Sequence, residues 1–211
     1  MQKKLAAILA GAGLSASLLA LTGPAQAGTS GTWTVTPGGN ISVGLRPLTK
    51  LIIKGVWGMY VCPFVSGSGT AASGSGLPGS HILTINSLAT SNCTGPGNMA
   101  LTISMNGMPF YMNAVSYDAA TGVTTSDVSG VRFTYANPVD GCVATITGPG
   151  GAGGTVDAAY ANSTHWLHIG GGSSLVVNAV NSSCSPSQIQ VGDPITLTAT
   201  LVIPDQTITS P

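Results

Sequence analysis

The chain contains no glutamate and very little charge of any kind. Charged residues make up 6% of its 211 positions, where a soluble domain ordinarily carries about 25%. After residue 27 the cations are Arg46, Lys50, Lys54 and Arg132, set against Asp118, Asp127, Asp140, Asp157, Asp193 and Asp205. Nothing in this set can neutralise a run of phosphates, which excludes nucleic acid as a partner. The surface must instead be built from Ser, Thr, Asn and Gly, and so weakly charged a surface repels its own copies poorly. Self-association is therefore open to it. The scarcity of Lys and Arg also leaves few sites for trypsin-like proteases, which suits life among exported enzymes.

The spacings that carry catalysis or metal binding are missing too. There is no H-E-x-x-H, no D-x-D, no C-x-x-C and no G-x-S-x-G elbow. The pair His165-x-x-His168 is the nearest approach to a metal motif, but positions i and i+3 of a strand face opposite sides. These two residues and His81 read as strand residues rather than ligands. The six aspartates are scattered, several beside turns, where hydrogen bonding to the local backbone explains them. The expectation is a protein without catalytic residues, metal or cofactor. No stretch after residue 27 is long and apolar enough to span a bilayer.

What is present begins with a leader. Met1-Gln2-Lys3-Lys4 is positively charged, Leu5 to Leu21 is apolar or small throughout, and Thr22-Gly23-Pro24 breaks any helix before Ala25-Gln26-Ala27. That is the three-part pattern of a secretory signal peptide with cleavage after Ala27. The exported chain is then residues 28–211, a secreted, extracellular or surface-associated protein. In that setting the four cysteines, Cys62, Cys93, Cys142 and Cys184, read as two disulfides rather than metal ligands.

The exported part is a succession of short alternating segments rich in Thr, Val and Ile. Thr32–Thr36, Ile41–Leu45, His81–Ile85, Leu101–Met105, Val143–Ile146, Thr155–Tyr160 and Ile195–Ile203 all alternate, Val128–Tyr135 reads as a further strand, and turn signals recur about every 8–12 residues. Residues 48–61 are the most apolar stretch and hold two strands, while residues 66–80 read as a Gly/Ser-rich connection. No 3.6-residue period persists. The fold class is all-β: an antiparallel sandwich or jelly roll. A faint internal echo links Leu83–Leu88 running to Cys93 with Leu175–Val180 running to Cys184. It suggests two related half-units, 28–112 and 113–211, each with one disulfide; of the three possible pairings this favours Cys62–Cys93 and Cys142–Cys184. On the chain-entropy view each closure contributes roughly 3.5–4 kcal/mol.

The motifs Trp33-Thr34-Val35-Thr36-Pro37, Ser91-Asn92-Cys93-Thr94-Gly95-Pro96, Asn113-Ala114-Val115-Ser116-Tyr117-Asp118 and Tyr160-Ala161-Asn162-Ser163-Thr164 resemble a group of small secreted β-proteins of actinobacteria with no assigned activity. More loosely, the cysteine order together with Pro109-Phe110-Tyr111-Met112-Asn113-Ala114 resembles the secreted activator of alkane oxidation of proteobacteria, the PraB-like proteins. Neither resemblance implies site residues.

The aromatics Trp57, Tyr60, Phe64, Phe110, Tyr111 and Trp166 could line a groove for a sugar or an apolar molecule, with core filling as the competing account. Trp57, Tyr60 and Trp166 are the candidate ligand or interface residues. The segment Lys50 to Tyr60 is apolar, β-prone and holds two of the four cations; on a sheet edge it would serve association between copies. The expected role is that of a non-enzymatic extracellular or cell-surface structural protein open to self-association. A binding module for a carbohydrate or apolar ligand is the alternative. Intact mass of the exported protein should match a chain starting at Gly28, and a mass that includes residues 1–27 would remove the signal-peptide reading.

Overall fold

A period-2 pattern buries every second side chain, and it does so equally well in a sandwich and in a closed barrel. The choice between them is made by long-range pairing. The computed structural model describes residues 32–210, so the leader 1–27 and its cleavage site lie outside the described residues. In chain order the strands are β1 (Trp33–Thr36), β2 (Gly39–Leu45), β3 (Leu51–Gly55), β4 (Gly58–Cys62), β5 (Phe64–Ala71), β6 (Gly74–Leu77), β7 (Leu83–Ser91), β8 (Thr102–Met105) and β9 (Phe110–Asp118). They continue as β10 (Val123–Val131), β11 (Phe133–Ala136), β12 (Val143–Thr147), β13 (Gly154–Ala161), β14 (Trp166–Ser173), β15 (Val176–Val180), β16 (Thr196–Val202) and β17 (Thr207–Thr209).

Eight of these form a closed antiparallel barrel in the order β2-β5-β7-β9-β10-β13-β14-β16, with β16 returning to β2. The expected sandwich or jelly roll is thus corrected to a barrel, because β16 finds partners on both sides. Trp166 to Ile169 pair with Val202 to Ala199, and Leu201 and Val202 pair with Leu45 and Gly44. The walls run up and down in sequence order. All four connections at one end carry extra strands: β3 and β4, β8, β11 and β12, and β15. These strands build a second tier, comprising the four-stranded sheet β15-β12-β11-β8 and the β3–β4 hairpin paired to the start of β16. Short bridges tie the tier together. Val61 exchanges backbone hydrogen bonds with Thr94, Leu101 N–H donates to Cys93 O, and Val177 N–H donates to Asp193 O. A three-stranded sheet, β17-β1-β6, stands apart from the barrel wall and contributes Trp33, Val35 and Ile208 to the core.

The barrel is filled rather than hollow, as eight strands require. Ile41, Val43, Leu83, Ile85, Phe110, Met112, Val128, Val156, Leu167 and Leu201 are all buried. The stretch 66–80, expected as a connection, is instead wall and cap: β5 and β6. Gly67 and Gly69 sit where a Cβ would strike the carbonyl oxygens of Ser87 and Thr84, so glycine there answers to close strand packing, not to flexibility. The expected strand from Val128 to Tyr135 is two strands, β10 and β11, divided at Arg132 and belonging to different sheets.

Both disulfides staple the second tier. Cys62–Cys93 ties the end of β4 to the segment after β7, and Cys142–Cys184 ties the entry to β12 to the segment after β15. The sequence separations are 31 and 42 residues. The echoed stretches occupy different places: Leu83–Leu88 lies in the barrel wall, Leu175–Val180 in the second tier. The boundary between residues 112 and 113 falls inside β9.

Three buried tyrosines hold the tiers. Tyr160 sits with its hydroxyl 2.8 Å from the Gln206 carbonyl and 3.2 Å from that of Ile203, pinning the turn that leads into β17. Tyr60 and Tyr135 pack with ring centroids 5.1 Å apart. Burial first, and nearby negative charge second, raises all three above the ordinary value of 10.0, Tyr135 to about 12. A phenol whose folded value lies above its unfolded one leaves stability intact while it is protonated in both states, and stability falls once the unfolded chain can ionise it. Stability measured by urea unfolding should accordingly hold up to about pH 10 and fall progressively from pH 10 to 12. A flat profile across that window would contradict the burial of these hydroxyls.

Candidate functional site

The segment Lys50–Tyr60 folds as the hairpin β3–β4. β3 lies between β16 and β4, so Leu51 and Ile53 go into the core. β4 is the outer strand, its far edge bridged to Thr94 at Val61. Gly55 and Gly58 face each other across the turn, leaving Val56 and Trp57 at the tip. Two-residue hairpin turns ordinarily carry Asn, Asp or Gly where φ is positive; neither Val56 nor Trp57 takes a positive φ, so the turn accommodates this apolar pair.

Trp57 is 47% exposed, yet its indole N–H donates to Asp193 Oδ2 at 3.0 Å. Asp193 is only 7% exposed, and the same oxygen accepts the backbone N–H of Gln190 at 2.9 Å. The polar end of the indole is therefore satisfied inward while its carbon face looks outward in a fixed orientation. Val56 and Met59 beside it, and Val191 in the turn that holds Asp193, are exposed apolar side chains as well. Tyr60 faces the other way and is buried against Tyr135, where the Asp193 carboxylate adds to the upward shift that burial gives its hydroxyl.

Trp166 belongs elsewhere. It opens β14 opposite Val202, six positions along β16 from Thr196, which faces Lys54; that is ~20 Å by strand rise. There the Arg46 guanidinium lies 4.0 Å over its ring. The six aromatics do not converge on one groove. Phe110 and Tyr60 fill the core, Tyr111 stacks on His81 at 4.0 Å, and Phe64 is exposed where β4 turns into β5. Of the three candidate residues, only Trp57 presents a free aromatic face at the hairpin tip. Asp193, its anchor, carries no sequence signal, being 136 residues away. The Pro47–Leu48 turn that positions Arg46 was foreshadowed only by its proline.

The histidines are separate and engaged. His165 Nδ1 lies 3.0 Å from the Gln206 carbonyl, His168 Nδ1 lies 3.2 Å from Thr200 Oγ1, and His81 covers Tyr111. Among the described residues no three His, Cys, Asp or Glu side chains gather as a metal cluster, and no helix is long and apolar enough to cross a membrane. The barrel encloses a wholly apolar cavity of about 40 Å³, bordered by Val65, Phe110 and Leu201 among others. This is far below the roughly 300–1,000 Å³ of clefts that take small ligands.

These features define an all-β, disulfide-stapled barrel whose distinctive surface element is an anchored tryptophan on a hairpin tip. No protein family, curated protein or solved structure matches the chain.

Asp193→Ala should cost about 1 kcal/mol in urea unfolding, because the half-buried Gln190 N–H and indole N–H bonds both lose their acceptor. It should also loosen Trp57, read as lower fluorescence anisotropy in a chain where Trp33 and Trp166 are replaced by Phe. Unchanged anisotropy would mean that the tether does not orient the ring.

Proposed function

We propose that the chain is a non-enzymatic, secreted structural protein of the cell exterior that associates with its own copies through the β3–β4 hairpin tip. The observation that carries this reading is the anchored, outward-facing Trp57 ring with Val56, Met59 and Val191 around it. An exposed apolar group fixed in place loses little freedom when a partner covers it, which favours association. The weakly charged surface offers little repulsion between copies. The leader-like residues 1–27 and the two disulfides fit an oxidising, extracellular setting. The engaged histidines support a role without acid–base chemistry, and the resemblance to secreted β-proteins without assigned activity agrees with it.

The alternative, a carbohydrate-binding module, draws on the same ring, since an indole face also stacks on a sugar. Sedimentation velocity on the oxidised exported protein over a wide concentration range separates the two. Association that grows with concentration and weakens at least tenfold in Trp57→Ser is the expected result. A monomer throughout, with Trp57 emission shifting on addition of soluble polysaccharide, would replace this reading with the alternative.

A further inference from the structure

The far end of the same hairpin carries a second unusual apolar feature. β2 and β3 follow one another along one edge of β16: Gly44 and Leu45 face Val202 and Leu201, and Ile52 to Lys54 face Thr198 to Thr196. Residues 46–50 are pushed out of this line as a turn. Thr49 N–H donates to Arg46 O at 3.1 Å and Arg46 N–H donates to Thr200 O at 2.9 Å, so the turn is tied to the wall. Pro47 takes its second place and Leu48 its third, at φ +66°, where glycine is the ordinary occupant. A leucine in the left-handed region is strained, and this one gains nothing from packing, being 104% exposed. A strained backbone holding a bare leucine outward points to a use beyond folding.

Beside the turn, Leu48, Pro63 and the 58%-exposed Phe64 border an open depression of about 310 Å³, with Arg46 on its rim. Arg46 lies over Trp166 with one face of its guanidinium and is itself exposed to solvent. The two ends of the hairpin are thus complementary. One is convex, an indole whose N–H is held by the Asp193 carboxylate, which enriches the ring face in electron density. The other is concave, apolar and cationic, with Arg46 and Lys50 flanking Leu48. Among the described residues, Lys54 is the cation near the tip, and it is exposed.

Building on the self-association proposed above, we infer that copies join head to tail: Trp57 of one copy enters the Leu48–Phe64 depression of the next and stacks on the free face of Arg46. The result is an indole–guanidinium–indole sandwich closed by Trp166 of the receiving copy. A convex knob is not self-complementary, so a two-fold dimer through the tip alone is disfavoured. A contact between different surfaces propagates as an open chain unless rotation closes it.

The test uses two variants of the oxidised exported protein in sedimentation velocity. Trp57→Ser lacks the knob. Leu48→Gly with Arg46→Ala lacks the receiving surface, and the glycine relieves the left-handed strain. That second variant should melt no lower than the unaltered protein, which keeps loss of association from being confused with misfolding. The unaltered protein should form species beyond dimers, and each variant alone should associate at least tenfold more weakly. A one-to-one mixture of the two should give a heterodimer and nothing larger, because each supplies the surface the other lacks and both chain ends are then blocked. If both variants still assemble alone, self-association stands but the head-to-tail contact is overturned. If the mixture stays monomeric although each variant is folded, the pairing of these two surfaces is overturned. If the unaltered protein is monomeric throughout, both readings fall. Binding to anionic vesicles lost in the Leu48→Gly variant would then assign the turn to a lipid surface instead.

Discussion

The structure depends on the pairing of β16. This one strand hydrogen-bonds to β14 along one edge, and along the other to β2 near its end and β3 near its start. The first two contacts close the barrel, and the third carries the wall over into the second tier. Leu197, Ala199 and Leu201 point inward from it and are buried, while Thr196 and Thr198 are exposed. Without β16 the remaining walls would be an open sheet with two free edges, a form prone to pairing with other chains. Closure removes those edges.

The second tier shows how the chain manages that exposure. The outer edge of β15 is met by residues 192–195, that of β8 by residues near Cys93, and that of β4 by Thr94. Cys62–Cys93 lies beside the short seam at Thr94, while Cys142–Cys184 ties the entry of β12 to the segment after β15. The second tier is thus blunt along its strands, and several exposed apolar side chains sit at or beside turns. Val56, Trp57 and Met59 stand at one end of β3, Leu48 and Phe64 at the other. Side chains fixed by hydrogen bonds at turns can mediate specific contacts without offering a free strand edge for uncontrolled aggregation.

The candidate site was half visible in the sequence. Lys50–Tyr60 stood out because residues 48–61 are the most apolar stretch after residue 27 and read as two strands. Tyr60 and Trp166 carried the same chemical interest as Trp57. They part company only because alternation on β4 turns Tyr60 inward, and because Trp166 opens a different strand beneath Arg46. Asp193, Arg46 and Leu48 acquire meaning only from neighbours far away in the chain. Similarly, Gly67 and Gly69 look like linker residues until the carbonyls of Ser87 and Thr84 are placed against them.

By itself the sequence determined the material: an antiparallel β protein with small polar surfaces and four cysteines placed for two cross-links. It could do so because strand alternation, turn residues and cysteine context are local properties of a few neighbouring residues. The tertiary structure decided that the strands close into a barrel instead of facing each other as a sandwich. It also decided that the Gly/Ser stretch is wall, and that one tryptophan among three presents its face to solvent. Closure and the exposed tryptophan rest on contacts between residues more than a hundred positions apart, Leu45 with Leu201 and Trp57 with Asp193, and the Gly/Ser wall on pairing with β2 and β7. A two-residue period is satisfied equally by every sheet that buries one side.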